Sequence, residues 1–217
     1  MRRVYIVIIA VIIILGIVGS IFLYQNWKKE EDDWPGEFED DNREVYIYQD
    51  VSESYWASEY ISYVVQRDIM TVDDENHFYP ESNMSLKNFL ITVFRGIMPR
   101  VTMSQWSDEE LLSFLQERKI LDEDVSVAKL NSSLTNYEAA ILLAKIDIKI
   151  RENNQIMKEI DDIDLAEIDD VGRTLIGHSI ASGYFNMKNA KNFYLSKVLT
   201  RAEIAEIVYM FLTRQEG

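Results

Sequence analysis

The chain has 217 residues, 37 of them acidic and 22 basic, for a formal net charge of −15. It holds no cysteine and only two histidines, His77 and His178. That excludes a thiol nucleophile, a disulfide framework and a Cys-containing zinc site, and it leaves little material for a His-rich metal centre. The acidic balance argues against nucleic acid, whose phosphates require clustered Lys and Arg.

From Val4 to Tyr24 the chain runs 21 residues without a charge. As a helix this would span about 31 Å, the thickness of a hydrocarbon core. Arg2 and Arg3 precede it, and Lys28 and Lys29 come after it. With the N-terminal amine counted, the charge balance leans towards a cytoplasmic N-terminus and a body outside the membrane. A cleaved signal peptide is the rival, with Val18-Gly19-Ser20 as its site, although Ile21–Tyr24 carry the apolar run past that cut. Either way the body is exported. Residues 25–217 hold all 37 acidic and 20 of the 22 basic residues, a net charge of −17. Nine of those acids lie in Gln25–Glu44, which has no helical periodicity and reads as an extended acidic stalk.

The body shows three segments with one plan, a short helix, a turn-rich loop and a second helix opened by Ser or Thr. In residues 45–100 the first helix is expected over Tyr55–Arg67, with Trp56, Ala57, Tyr60, Ile61, Val64 and Val65 on one face. The second is expected over Leu86–Ile97, lined by Phe89, Leu90, Val93, Phe94 and Ile97 and ended by Pro99. In residues 101–158, Leu111, Leu112 and Leu115 mark one helix, and Tyr137, Ala140, Ile141 and Ala144 the next. In residues 159–217 a weak helix near Arg173–Ile180 precedes a strong one striped by Ile204, Ile207, Val208, Phe211 and Leu212. Thr135–Glu138 and Thr200–Glu203 are T-x-x-E capping boxes, and Ser85 with Asn88 keeps half of one. Units this small close no core alone, so the three are expected to pack together.

The first segment, YQDVSESYWASEYISYVVQRDIMTVDDENHFYPESNMSLKNFL, resembles the S-layer homology (SLH) domain. Tyr48, Asp50, Val51, Trp56, Ala57, Ile61, Val64, Val65, Ile69, Phe78, Pro80 and Phe89 fit that family's order and spacing. Leu199-Thr200-Arg201-Ala202-Glu203-Ile204 resembles its helix-opening motif L-T-R-A-E-F, and Phe193 precedes Arg201 as Phe78 precedes Leu86. The middle repeat is degenerate and is carried by position and its T-x-x-E. The resemblance implies a mostly α fold of three helix–loop–helix repeats with approximate threefold symmetry, behind the N-terminal transmembrane helix. It implies that grooves between repeats bind secondary cell-wall polysaccharide, often pyruvylated, through the motif Arg, the Asp and Trp of the first helix region, and nearby glycines. The expected ligand-binding residues are Arg201, Trp56, Asp50 and Gly183, with Thr200, Glu203, Thr135 and Glu138 as structural caps.

The sequence departs from that pattern at the binding positions. The motif Arg is replaced by Leu86 and Asn136 in the first two repeats, and Lys87 is shifted by one residue. The first glycine of G-I-I-x-G aligns with Asp68, Lys119 and Ser179, which leaves Gly183 at the second. For Trp56 two readings stay open, stacking on a sugar or anchoring the core. Arg201 opens a helix, where anions are favoured, or it pairs with one of the many acids. Asp50 is a family ligand position, but the favoured reading is that it shapes the turn before the first helix rather than touching a ligand.

Gly177–Ala181 imitates the G-x-S-x-G elbow of hydrolases, but no histidine comes after Ser179 and no strand precedes it. Asp161, Asp162, Asp164, Glu167, Asp169 and Asp170 form a carboxylate cluster that lacks the EF-hand glycine and bidentate Glu, and reads as a solvated charge run. No cofactor and no enzymatic activity are expected. The reading is a single-pass membrane protein of a Gram-positive-type envelope whose body is a wall-binding module; the alternatives are a secreted, wall-bound form, and an SLH-fold scaffold holding another envelope protein.

Overall fold

The computed structural model describes residues 48–99, 103–150, 168–185 and 193–214. The apolar run 4–24, the stalk 25–44 and residues 161–167 of the acidic cluster lie outside them. The chain divides into two units between Glu44 and Val45, and all the described residues belong to the second. Among the described residues there are seven α-helices and no sheet: α1 Ser58–Gln66, α2 Leu86–Ile97, α3 Asp108–Glu117, α4 Val127–Leu130, α5 Asn136–Ile150, α6 Asp170–Ala181 and α7 Arg201–Thr213. None of them is long and apolar enough to cross a membrane.

Helix ends are set by short polar side chains. Ser107, Ser126, Asp169 and Thr200 each accept a hydrogen bond from the third helical N–H of the helix they open, as does Ser85 from Asn88. Thr200 and Thr135 complete reciprocal boxes with Glu203 and Glu138, and so does Ser107 with Glu110. The Asp169 cap starts α6 a turn earlier than its apolar pattern suggests. In contrast, α1 has Ala57 at its N-cap with no side-chain cap, so it begins at Ser58 rather than Tyr55. Trp56 therefore precedes the helix instead of lying on its face. The pattern also gives no sign of α4, a single turn that buries Leu130.

Three extended segments, each opening a long helix, meet at the centre and exchange main-chain hydrogen bonds in a cycle. Met84 N–H donates to Leu199 O, Leu199 N–H to Leu134 O, and Leu134 N–H to Met84 O, at 3.2, 2.9 and 2.9 Å. Outside this triangle Leu86, Asn136 and Arg201 donate to Ser132, Lys197 and Ser82 at 3.0, 2.9 and 2.9 Å. Side chains of Met84, Leu134 and Leu199 are buried with Phe78, Phe89, Leu90, Phe94, Leu111, Leu115 and Phe211 in one core. The helices pack in the same cyclic sense, α1 and α2 against α7, and α6 against α5. Helix α5 buries Ala139, Ala140, Leu142, Leu143, Ala144 and Ile146, so its core contact extends well beyond the stripe of Tyr137, Ala140, Ile141 and Ala144.

Helices α1, α3 and α6 end in one motif. The N–H of Asp68, Lys119 and Gly183 reaches back to Val65, Gln116 and Ile180, and the next N–H reaches Val64, Leu115 and Ser179. This double return is the Schellman arrangement, which puts the first residue past the cap in the left-handed region. Their φ values are +56°, +55° and +75°. The structure thus corrects one expected alignment: Gly183, not Ser179, is the counterpart of Asp68 and Lys119, and Ser179 lies inside α6.

Between α5 and α6, Asp147 and His178 form a fully buried pair, with His178 Nε2 2.6 Å from Asp147 Oδ2. The T-shaped approach of Tyr184 closes over the imidazole. Three results are expected in urea unfolding. Lys119→Gly should stabilise the protein by roughly 0.5–1 kcal/mol and Gly183→Ala should destabilise it by about 1–2 kcal/mol, because a Cβ is strained at positive φ. A Cβ at Gly183 would also meet the Arg214 guanidinium at 1.8 Å. His178→Ala should cost about 3 kcal/mol by removing the imidazole that pairs with a buried carboxylate.

Candidate functional site

The N-terminal turn of α7 seats against the loop that runs from Thr71 to Ser82. Arg201 N–H donates to Ser82 O and Ala202 N–H to Pro80 O, at 2.9 and 3.0 Å. This main-chain register aims the Arg201 side chain under Phe78. Its Nε donates to Phe78 O at 2.7 Å, one Nη donates to Thr71 O at 2.8 Å, and the guanidinium lies 4.5 Å from the Phe78 ring centroid. Burial pulls the Arg201 pKa below its ordinary value, and the Asp50 charge opposes that shift.

Asp50 approaches the same peptides from the other side. Its two carboxylate oxygens accept from Phe78 N–H at 2.8 Å and Tyr79 N–H at 2.6 Å. Arg201 and Asp50 are therefore brought together across one stretch of backbone, and the turn-shaping part of Asp50 is realised over 28 residues of chain rather than locally. The clamp holds Tyr79 at φ +57°, a conformation unusual for a bulky residue. Tyr79 is half exposed, its ring stacks on His77, and its hydroxyl donates to Asp73. That hydroxyl and the His77 amide hold the Asp73 carboxyl below its usual range. The resulting stabilisation is present at neutral pH and is lost as the pH falls below the ordinary carboxylate range.

Trp56 is 53 % exposed, which removes the core-anchor reading. Its ring lies 5.8 Å from Tyr55, whose hydroxyl donates to Glu81 at 2.5 Å in the loop that α7 binds. Burial, then the Glu81 bond, pushes the Tyr55 phenol up to about 12. Trp56 is thus linked through Tyr55 to the loop that Arg201 and Asp50 pin. Gly183 does not join them. It packs under Arg214 at the far end of α7, about 20 Å along the helix from Arg201 at 1.5 Å per residue.

The equivalent positions elsewhere are built differently. Asn136 Nδ2 donates to Tyr194 O at 3.0 Å, the carbonyl one residue past the counterpart of Phe78, and brings no charge. Leu86 is buried, and the loop facing it is replaced by helix α4, with no aromatic at the place of Phe78. Lys87 pairs with Asp108, which Asn131 also bonds at 2.8 Å. Both contacts hold the Asp108 carboxyl below its usual range.

Residues 47–86 match the family model of the S-layer homology domain. No curated protein matches the chain. The matched stretch contains Asp50, Trp56, Phe78 and Tyr79 and stops short of Arg201. An SLH domain suggests attachment in the cell envelope, typically to secondary cell-wall polymer, and is a non-catalytic binding module. Consistent with that class, Ser179 is fully buried inside α6 and donates to Ala140 O at 2.6 Å, while the neighbouring His178 faces Asp147. A hydroxyl buried inside a helix and donating to a main-chain carbonyl is not an activated nucleophile.

Sequence reasoning missed Tyr79, Thr71 and Glu81. Tyr79 has no composition signal for its left-handed backbone, and Thr71 contributes only a carbonyl, which any residue carries. Asp50→Ala is expected to lower stability by about 1–3 kcal/mol, since it unpairs the Phe78 and Tyr79 amides, with Asp50→Asn falling between. Thermal unfolding of the two variants side by side checks this.

Proposed function

We propose that the chain is a cell-envelope attachment module of three SLH-like repeats that binds secondary cell-wall polysaccharide through one groove, where the third repeat meets the first. Residues 4–24 would hold it in the cytoplasmic membrane, with the acidic stretch 25–44 as a spacer and the body facing the wall. The observation that carries this reading is the convergence of Arg201 and Asp50 on the Phe78 peptide beside the exposed rings of Trp56 and Tyr79. Aromatic faces suit the C–H faces of sugar rings, and polar groups at their edges fix orientation. Gly183 serves this groove only through the fold.

A second reading keeps the fold as a scaffold for another envelope protein. It is favoured by the burial of Leu86 and by the spending of the Asn136 amide on Tyr194, which leave two junctions without a cation at the motif position. Cosedimentation of the detergent-solubilised full chain with wall sacculi separates the two. Wall binding predicts pelleting with intact sacculi, its loss when secondary polymer is stripped, and at least a tenfold weakening by Trp56→Ala without a change in melting temperature. Arg201→Ala should weaken it too, with some loss of stability. No pelleting would reject the wall reading and favour the scaffold.

A further inference from the structure

The groove that the proposed function relies on is charged in the opposite sense to the one an anionic polymer needs. Asp50, Asp73, Glu75 and Glu81 all lie on or against the loop 71–82. Asp50 binds the amides of Phe78 and Tyr79, and Asp73 takes the Tyr79 hydroxyl. Glu81 takes the Tyr55 hydroxyl, and Glu75 reaches within 3.9 Å of His77. Facing them is Arg201, which already donates to two carbonyl oxygens and is balanced by Asp50. From α7, Glu203 adds an acid whose charge is met by Lys197. His77 sits between Asp73 and Glu75, 3.5 Å from the first. The local field is therefore negative, on a body whose net charge over residues 25–217 is −17.

A guanidinium surrendered to main-chain carbonyls is a structural strut more than an anion receptor, and a cleft lined by one sign of charge repels ligands of that sign. What the groove offers outward is two aromatic faces and a rim of carboxylate oxygens, which accept hydrogen bonds from hydroxyl and ammonium groups. Resting on the wall-binding reading, we infer that this groove selects sugar residues that carry no acidic substituent, neutral or amine-bearing ones, and rejects ketal-carboxylate or phosphate-bearing ones.

The test uses the detergent-solubilised full chain and wall sacculi at low ionic strength, comparing it with the double variant Glu75→Gln, Glu81→Gln. Glutamine keeps an acceptor for Tyr55, so the fold is retained, which melting curves verify. Affinity unchanged or weakened in the variant is the expected result. Affinity tightened twofold or more would overturn the inference, because removing two negative charges helps only an anionic ligand; the wall-binding reading would survive that outcome. Absence of pelleting by the unsubstituted chain would remove both.

Discussion

Six main-chain hydrogen bonds hold this body together, those that tie residues 82–86, 132–136 and 197–201 into a cycle. Each segment comes from a helical unit too small to bury its own apolar face, and each carries backbone groups that must find partners once covered. The cycle answers both demands at once. It pairs the three central segments with one another, and it places Met84, Leu134 and Leu199 where their side chains seal the shared core. It also closes the chain on itself, since α7, the last described helix, packs on α1.

The candidate site is a by-product of this closure. Two residues beyond each central position, Leu86, Asn136 and Arg201 are delivered by the same hydrogen bond to the loop of a neighbouring unit. What differs is the side chain delivered and the loop that receives it. Arg201 meets a loop clamped by Asp50 and furnished with exposed Tyr79. Asn136 meets Tyr194, another exposed ring, but brings no charge. Leu86 meets helix α4 and is simply buried. One scaffold thus holds three junctions of unequal chemistry, and the equipped one lies where the beginning and end of the body come together.

Much of the fold is legible in the sequence because its signals are local. The 3.6-residue period locates α2 to the residue, and the Ser and Thr caps mark where α2, α5 and α7 begin. Boundaries fail where the deciding contact is not periodic: Asp169 extends α6, the missing side-chain cap shortens α1, and α4 is too short to show a period. The glycine register fails for a related reason. Asp68 and Lys119 occupy a left-handed position that composition assigns to glycine, so the one real glycine there, Gly183, reads as a turn late. Of the site, Arg201, Asp50 and Trp56 are readable as motif positions. Their mutual geometry is not, because it depends on contacts across more than 100 residues of chain, such as Arg201 on Phe78 and Thr71. Loop carbonyls and a strained tyrosine leave no trace in residue type.

The central proposal is that a single junction, between α7 and the loop 71–82, does the binding. Its most direct test is an amide and indole NMR titration of the ¹⁵N-labelled full chain in detergent micelles with solubilised secondary wall polymer. The account predicts saturable shifts at the Trp56 indole, the Arg201 Nε–H and the Tyr79 amide, while Lys87, Asn131, Asn136 and Tyr194 stay still. Equal shifts at Asn136 and Tyr194, or none at Trp56 and Arg201 with polymer in excess, would contradict it.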